Sequence, residues 1–329
     1  MLSAHTGRQE AFAEPPVALT WGYWAEIYGF ELSRPPADLH GPLVLRVMPD
    51  RETGVRESIV QRAVADQGYP TPSVVLAGID EGVGGAFMVM ERAAGVAPLD
   101  GLGFGRTLLR LPTTLRRVAQ QLSSATLALH GLDPRPIIES LEHAGIDIAL
   151  LGVEARLAEI SAAAQSSSCG FEELLAWLHR HRPDLTPVVV THGDIHPFNM
   201  LVDNDDSFNV LDWTNANLCR REYDIGFTAA LLQCAPIAVP RIVERPLRAI
   251  TGSLARRFID AYRRTEPIDL DVVEWFETLQ YGRCLAAVVM APAVADGIVG
   301  PRHPFRVSAP AMVRQVRMIT GVTIEVPSD

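Results

Sequence analysis

The chain contains no lysine. All 29 basic residues among its 329 residues are arginines, so chemistry that needs a lysine amine is excluded. This rules out a pyridoxal Schiff base, a lysine-dependent aldolase and a phosphate-binding loop of the G-x-x-x-x-G-K type. Any side-chain cation that holds a phosphate group in this protein must therefore be an arginine.

Cysteine is also scarce, and no C-x-x-C pair occurs. The four cysteines are Cys169, Cys219, Cys234 and Cys284. This spacing supports neither a zinc finger nor a disulfide framework, and it predicts a reducing compartment. The opening MLSAHTGRQEAFAEPP lacks the apolar stretch of a signal peptide, and no apolar run is long enough to span a bilayer. We therefore expect a cytoplasmic protein with no membrane partner.

Positive charge is in deficit, because 29 basic residues against 39 acidic ones give a net charge of −10. Proteins hold nucleic acid with clustered lysine and arginine, so we expect no nucleic-acid partner. Hydrophobic residues at 48% and charged residues at 21% are ordinary globular proportions that allow a sizeable core. The length of 329 residues predicts two domains.

The N-terminal part is predicted to consist mainly of strands. Runs of apolar, β-branched and aromatic residues predict strands over 17–21, 26–32, 43–48, 73–79 and 86–92. Between the third and fourth of these runs, apolar residues around Val60 and Val64 recur at helical spacing and predict a helix over 52–67. This order predicts a small antiparallel sheet with one helix against it.

After Gly95 the chain is predicted to be mainly helical. Amphipathic stretches cover 106–130, 153–164, 171–181, 239–264, 270–290 and 309–319. One β-rich island, residues 187–213, predicts three short strands whose loops contain most of the notable polar residues. We therefore predict an α+β chain that divides between residues 94 and 95.

The island contains the spacing H-x-D-x-x-x-x-N at His192, Asp194 and Asn199, and Asp212 ends its third strand. Neighbouring loops are expected to bring these side chains to one edge. Asn199 and Asp212 offer the oxygen ligands that Mg²⁺ prefers. Asp194 is a further carboxylate, which can accept the proton of an attacking hydroxyl group.

A second clue comes from two charges placed on apolar faces. Arg46 lies inside the run LVLRVM, and Glu57 shares a helical stripe with Val60 and Val64. A buried charge that has lost its partner costs about 3–5 kcal/mol, so we predict that Arg46 and Glu57 form an ion pair. Such a pair either holds the arginine ready for an anion or is purely structural.

The chain resembles the aminoglycoside phosphotransferase family of small-molecule kinases. The matching segments are HGDIHPFN (192–199), MLVD (200–203), LDW (211–213), YD (223–224), LHGLD (129–133) and MVMER (88–92). The resemblance extends from about Val17 to Leu232 and is most specific at HGDIHPFN. It implies a two-lobed protein-kinase-like fold, with a nucleotide-binding lobe at 1–94 and a catalytic, substrate-binding lobe at 95–329.

The same resemblance implies the chemistry. ATP or GTP would be the phosphoryl donor, Mg²⁺ the metal, and a hydroxyl group of a small molecule, such as an aminoglycoside or a macrolide, the acceptor. By resemblance, Asp194 corresponds to the catalytic base, and Asn199 and Asp212 correspond to the metal ligands. The backbone of Glu91 and Ala93 would contact the adenine.

Two features depart from the usual family pattern. Arg46, with Glu57 beside it, stands where the pattern has a nucleotide-binding lysine, and the loop over the phosphates has one glycine, Gly22. The resemblance also implies that His192 has a structural role and that Asp224 braces its loop through hydrogen bonds.

Two alternatives remain open at the level of sequence. A degenerate kinase fold could bind nucleotide or another ligand without turnover. The segment HGDIH could instead supply metal ligands, His192, Asp194 and His196, to a hydrolytic zinc or two-metal centre. The identity of the acceptor is not predicted by the distribution of charge along the chain.

Overall fold

The computed structural model of the chain describes residues 2–19, 25–37, 39–99, 107–203, 205, 207–291 and 303–326. Gly22 lies outside these residues. The chain forms two compact units. The first contains Met1–Asp100, Leu132–Ile148 and Phe198–Ala216, and the second contains Gly101–Gly131, Ala149–Pro197 and Asn217–Asp329. A single boundary between residues 94 and 95 stays a prediction.

The strands are, in chain order, β1 (Val17–Ala18), β2 (Glu26–Phe30), β3 (Leu43–Met48), β4 (Val74–Asp80), β5 (Gly85–Glu91), β6 (Val189–Thr191), β7 (Met200–Val202), β8 (Phe208–Val210) and β9 (Asn217–Cys219). The helices are α1 (Leu2–Thr6), α2 (Arg51–Asp66), α3 (Thr107–His130), α4 (Arg135–His143), α5 (Val153–Ser166), α6 (Phe171–Arg180), α7 (Glu222–Gln233), α8 (Arg241–Arg263), α9 (Leu270–Met290) and α10 (Ala309–Thr320).

The first unit is built on an antiparallel sheet with the strand order β1-β2-β3-β5-β4. The prediction of a small antiparallel sheet with one helix against it is confirmed, since α2 packs on β3, β4 and β5. Asp50 caps α2 by accepting hydrogen bonds from the backbone of Glu52 and Thr53. A Cβ atom at Gly54 would lie 2.6 Å from Ala86 Cβ, so glycine there lets the helix approach the sheet closely.

The island of predicted strands is divided between the two units. Strands β7 and β8 pair as a hairpin in the first unit, whereas β6 pairs with β9 in the second. The three predicted strands are present, but they do not form one sheet. Strand β9 and helices α4 and α7 are absent from the sequence prediction. Strand β9 and helix α4 are too short to show a clear periodicity, and α7 is buried on nearly every face, so it has no amphipathic stripe.

The second unit is a helical body around a core of aromatic and aliphatic side chains. Its centre is α7 packed against α9, where Tyr223, Phe227 and Phe276 are fully buried and in ring contact. Helix α9 also packs on α5, α6 and α10, and α8 packs on α3 and α7. Within the described part of the chain, no helix combines the length and the apolar character needed to cross a membrane.

Candidate active site

Arg46 lies at the centre of a polar cluster in the first unit. Its Nη1 atom lies 3.1 Å from Glu57 Oε1, which confirms the ion pair predicted from the sequence. Its Nη2 atom donates to Asp212 Oδ1 at 3.1 Å and to Thr214 Oγ1 at 3.1 Å. Arg46 and Glu57 are almost fully buried, whereas 37% of the Asp212 side chain is exposed. The cluster therefore reaches solvent through Asp212.

Thr214 ties the two carboxylates of this cluster together. Its hydroxyl lies 2.9 Å from Glu57 Oε2 and 2.7 Å from Asp212 Oδ1, and with one hydrogen it can donate fully to only one of them. Thr214 is not predicted from the sequence, because a single threonine after Asp-Trp carries no signal of its own.

The backbone aims the Asp212 side chain. Asp212 has a φ of 67°, in the left-handed region that Asp and Asn enter more readily than other side chains. The next residue, Trp213, is buried and donates from Nε1 to Thr71 Oγ1 at 2.9 Å. The hydrogen-bonded ring of Trp213 holds the turn in place, so the backbone of Asp212 and its neighbour together fix the direction of the Asp212 side chain.

The charges in the cluster act strongly on one another. Burial raises the pKa of Glu57 to about 7, while the attraction of Arg46 acts in the opposite direction. Burial opposes the charge on Arg46, but Glu57 and Asp212 outweigh it and raise the pKa of the guanidinium. Among the described residues, the buried Arg46 Nε has no hydrogen-bond partner. An unpaired buried donor costs about 1–3 kcal/mol, so this N–H is suited to an incoming anion.

The β7–β8 hairpin places Asn199 beside Asp212. Met200 faces Val210 in the hairpin, and just beyond this pair the Leu211 N–H donates to the Asn199 carbonyl at 2.8 Å. Asn199 therefore lies across from the residue that precedes Asp212. An amide oxygen and a carboxylate at one end of a hairpin are oxygen donors of the kind Mg²⁺ prefers, so this pair fits the predicted ion.

Asp194 belongs to the second unit, in the loop after β6. Its N–H donates to His192 Nδ1 at 3.2 Å, and 24% of its side chain is exposed. The buried carboxylate of Asp224 accepts hydrogen bonds from the backbone of His192 at 3.0 Å and of Gly193 at 2.6 Å. Gly193 has a φ of 74°, which a side chain would make costly. The loop is therefore braced as the resemblance implied.

A second buried contact fixes Asp224 itself. His130 Nε2 lies 3.1 Å from Asp224 Oδ2, and His130 Nδ1 lies 2.7 Å from the hydroxyl of Tyr262. Helices α3, α7 and α8 thus hold one carboxylate that in turn holds the loop of Asp194. Tyr262 was not identified from the sequence, since an aromatic residue on an amphipathic helix is typical of core packing.

Glu91 and Ala93 lie where strand β5 ends. The Glu91 N–H donates to the Ser73 carbonyl at 3.1 Å, and Ala93 follows outside the strand. Their role at an adenine stays a prediction. For the alternative of a hydrolytic metal centre, the described residues contain no group of three or more His, Cys, Asp or Glu side chains that could hold an ion.

Comparison with known proteins gives a consistent picture. A model of the phosphotransferase enzyme family matches residues 37–275. No curated protein matches the sequence. Among solved structures, a thermostable mutant of aminoglycoside phosphotransferase APH(4)-Ia, in a ternary complex with ADP and hygromycin B, is 17% identical. It has a TM-score of 0.61 and covers 97% of this chain and 96% of its own.

Two further structures show the same fold. An amicoumacin kinase in complex with AMP-PNP, Ca²⁺ and Ami is 15% identical, with a TM-score of 0.58 and coverage of 100% of this chain and 95% of its own. The macrolide 2'-phosphotransferase MphH from Brachybacterium faecium is 17% identical, with a TM-score of 0.51 and coverage of 90% and 97%. The predicted α+β, kinase-like fold is thereby confirmed.

Proposed function

Because this chain belongs to the phosphotransferase enzyme family, we propose that it transfers the γ-phosphoryl group of ATP or GTP to a hydroxyl group of a small molecule, with Mg²⁺. The observation that carries this proposal is the position of Arg46, which contacts Glu57 and Asp212 at once. Phosphoryl transfer needs little covalent chemistry from the protein, and such a cluster supplies position and charge.

Arg46 would bind the phosphates of the nucleotide. Its Nη1 and Nη2 atoms are held by protein oxygens, which leaves the buried Nε–H as a donor for a phosphate oxygen. Arg46 lies between two carboxylates, so the cluster has no net positive charge until a cation binds to it. The backbone of Glu91 and Ala93 would bind the base, as the family pattern implies.

Asp212 and Asn199 would hold Mg²⁺. This ion is usually bound by one or two carboxylates together with water and substrate phosphates, so two protein side chains suffice. When bound, the ion neutralises charge on the β- and γ-phosphate oxygens. The partly exposed Asp212 carboxylate, oriented by Thr214 and by its backbone, supports this assignment.

Asp194 would accept the proton of the acceptor hydroxyl. Its loop is braced by Asp224 and His130, so the carboxylate is held on a fixed support. Hydroxylated natural products are the first acceptors to test, because the similar structures are named for aminoglycosides, a macrolide and amicoumacin. The reaction would take place in the cytoplasm, where nucleoside triphosphates are present and where thiols such as the four free cysteines stay reduced.

The test compares two variants of the full chain with a matched control. Asp194→Asn is expected to leave the Kd for Mg–ATP unchanged while kcat falls about 100- to 10,000-fold, the usual contribution of a general base. Asp212→Asn is expected to weaken Mg-dependent nucleotide binding as well. Asp205→Asn, which changes an exposed aspartate between β7 and β8, serves as the control. Calorimetric titration and a phosphate-transfer assay measure both quantities.

Three outcomes would contradict the proposal. Absence of Mg–ATP and Mg–GTP binding at millimolar concentration excludes both the enzyme and its inactive counterpart. Nucleotide binding without transfer to any of a broad panel of alcohols favours the inactive kinase fold. Stoichiometric zinc in the purified protein, with activity lost in His196→Ala and retained in Asp212→Asn, indicates the hydrolytic centre instead.

A further inference from the structure

A pocket of about 420 Å³ opens in the second unit, and the proposed mechanism does not use it. It lies between α8, α10 and the C-terminal end of α7. Helix α8 contributes Arg248, Gly252, Arg256 and Ile259, whose spacing of four, four and three residues places them on one helix face. Helix α10 presents a matching stripe of Ala311, Arg314, Gln315 and Met318.

The walls of this pocket are positively charged. Arg248, Arg256 and Arg314 reach it from two different helices. Arg248 bonds to Glu244, one turn earlier on α8, at 2.9 Å. Arg256 and Arg314 form no ion pair with any carboxylate that the structure describes. Like charges on facing helices repel one another, so an anion between them would stabilise the arrangement. In a chain with a net charge of −10, this is a local reversal of sign.

The floor of the pocket contributes little negative charge. Gln233 lines it and donates from Nε2 to Glu277 Oε1 at 3.0 Å. Burial raises the pKa of Glu277 to about 7, so near neutral pH this carboxyl is only partly ionised. Cys234 also lines the pocket, and burial raises the pKa of its thiol to about 12. The floor is therefore close to neutral beneath cationic walls.

The pocket also offers apolar surface. Ile259, Ala311 and the exposed Met318 lie among the arginines. Arg248 is shared with a smaller hollow of about 170 Å³, to which Ile237 and Val307 contribute apolar side chains. Small-molecule sites commonly combine an apolar lining with a few charged groups that fix orientation. The occupant that fits is an organic anion with an apolar skeleton.

One helix links this pocket to the loop of Asp194. Helix α7 carries Asp224, which braces that loop, and it ends at Gln233 in the pocket lining. The helical rise places Asp224 and Gln233 roughly 14 Å apart. Burial raises the pKa of the Cys284 thiol on α9, and Asp194 and Cys234 both lie close enough for their charge to add to that rise. The pocket lining and the residue that braces the Asp194 loop therefore lie near opposite ends of the same helix.

We propose that this pocket binds a carboxylate or phosphate group of the acceptor, so that the acceptor is a hydroxylated organic anion. That the bound anion is an acceptor rests on the proposed phosphotransfer. The anion site itself is supported by the geometry of the pocket alone. Arg256 and Arg314 would determine specificity, and Arg248 would add a third positive charge to the lining.

The first experiment measures anion binding to the full chain without nucleotide. The probes are benzoate and inorganic phosphate, with benzyl alcohol and benzylamine as neutral and cationic counterparts. Arg256→Gln/Arg314→Gln is compared with Arg263→Gln/Arg317→Gln, which changes exposed arginines on the same two helices outside the pocket. A Kd of about 1–10 mM for an anion is expected in the wild type and the control. It should weaken at least about tenfold in the pocket variant, as expected when charge contacts are lost.

A second variant tests the site without removing charge. A Cβ atom at Gly252 would lie 3.9 Å from Arg256 Nη1, an ordinary contact, so Gly252→Leu projects into the pocket without a clash at the backbone. This variant is expected to block anion binding while the fold is retained, since leucine also favours helix over glycine. Equal anion binding in the wild type and both pocket variants, or no binding of either anion probe, would overturn the anion site.

The turnover experiment uses acceptors that share one hydroxylated skeleton and carry a carboxylate, a phosphate, an ester or an amine. The carboxylate and phosphate forms distinguish the two anions. Anionic acceptors are expected to have a kcat/KM at least about tenfold higher than the ester and amine acceptors. In Arg256→Gln/Arg314→Gln this advantage should disappear, because the KM for the anionic acceptors rises. If the protein transfers phosphate to neutral or cationic acceptors, and the pocket variant does so with the same kcat/KM, this inference is wrong and the proposed function is retained. Anion binding in the pocket without any transfer overturns the proposed function instead.

Discussion

Arg46 joins two carboxylates that lie far apart in the chain: Nη1 is 3.1 Å from Glu57 Oε1, and Nη2 is 3.1 Å from Asp212 Oδ1. The first contact connects the sheet to α2, and the second connects the sheet to the turn after β8. Glu57 is fully buried and Asp212 is not. The two contacts therefore differ in kind, since one stabilises a buried charge and the other positions a partly exposed one.

A double variant separates these roles. In Arg46→Met the buried Glu57 loses its partner, and we expect a loss of about 3 kcal/mol in the free energy of unfolding. In Arg46→Met/Glu57→Gln the uncompensated charge is gone, so most of that stability should return. Nucleotide binding should remain weak in both variants, because the cation that contacts phosphate is missing in both.

Urea unfolding and calorimetric titration with Mg–ATP measure the two effects on the same samples. If the double variant regained nucleotide affinity together with stability, Arg46 would be purely structural. Arg51→Met, which changes an exposed arginine paired with Glu81 at 2.8 Å, is the control for loss of an arginine in this unit.

The Thr214 hydroxyl is expected to contribute both to stability and to binding of the metal–nucleotide complex. Thr214→Val removes a group within hydrogen-bond distance of Glu57, Asp212 and Arg46, so three buried or partly buried polar groups lose a partner. We expect a loss of about 1–3 kcal/mol in stability and a higher KM for the metal–nucleotide complex. Thr214→Ser keeps the hydroxyl and should behave as the wild type in both measurements. Equal behaviour of the Val and Ser variants would contradict the role.

The sequence predicts the periodic elements of this fold well. Helix α3 is predicted over 106–130 and is present at Thr107–His130, because a long amphipathic stripe gives a clear helical period. The contact between Arg46 and Glu57 is also predicted, since each charge interrupts an apolar pattern on an element that packs on the other. A charged residue within an apolar pattern can be recognised locally in the sequence. Because an unpaired buried charge is costly, two such residues on packed elements are expected to form an ion pair.

The second partner of Arg46 lies beyond such reasoning. Asp212 is 166 residues away along the chain, and nothing near it marks the contact. Strand β9 is missed for a related reason, since Asn217–Cys219 has three residues and pairs with β6, from which the β7–β8 hairpin separates it in the chain. Contacts set by the packing of distant segments require the tertiary structure, whereas amphipathic patterns do not.

The brace beneath the loop of Asp194 leads to a different expectation. Asp224 is fully buried, accepts backbone hydrogen bonds from His192 and Gly193, and contacts His130. Asp224→Asn replaces one acceptor oxygen with an NH₂ group that faces donors, which should cost about 3 kcal/mol in stability. We expect kcat to fall about 100-fold, because the proposed base loses its fixed position.

The nucleotide KM distinguishes this effect from general unfolding. Asp224 takes no part in the Arg46 cluster, so the KM for Mg–ATP should stay close to that of the wild type at a temperature where the variant is folded. Asp184→Asn, on an exposed loop of the same unit, is the matched control. A parallel loss of nucleotide affinity and kcat would show that Asp224 only maintains the fold.

Glu277 gives an expectation for pH. It lies on α9, accepts a hydrogen bond from Gln233 at 3.0 Å, and burial raises its pKa to about 7 from 4.5. The folded state therefore holds a proton more tightly than the unfolded state, so stability falls as pH rises from about 4.5 to about 7. Above that range the ionised carboxylate should cost the wild type about 2 kcal/mol, allowing for partial exposure of the side chain.

Glu277→Gln removes this ionisation while an amide oxygen can still accept from Gln233. The variant should match the wild type in free energy of unfolding near pH 4 and exceed it by about 2 kcal/mol at pH 8, because only the wild type carries the buried charge there. Urea denaturation across this pH range measures the difference directly. Glu173→Gln, which changes an exposed glutamate on α6, should run parallel to the wild type throughout. Parallel profiles for the wild type and Glu277→Gln would mean that Glu277 ionises in the folded protein as freely as in the unfolded chain, and that the floor of the arginine-lined pocket carries a full negative charge at neutral pH.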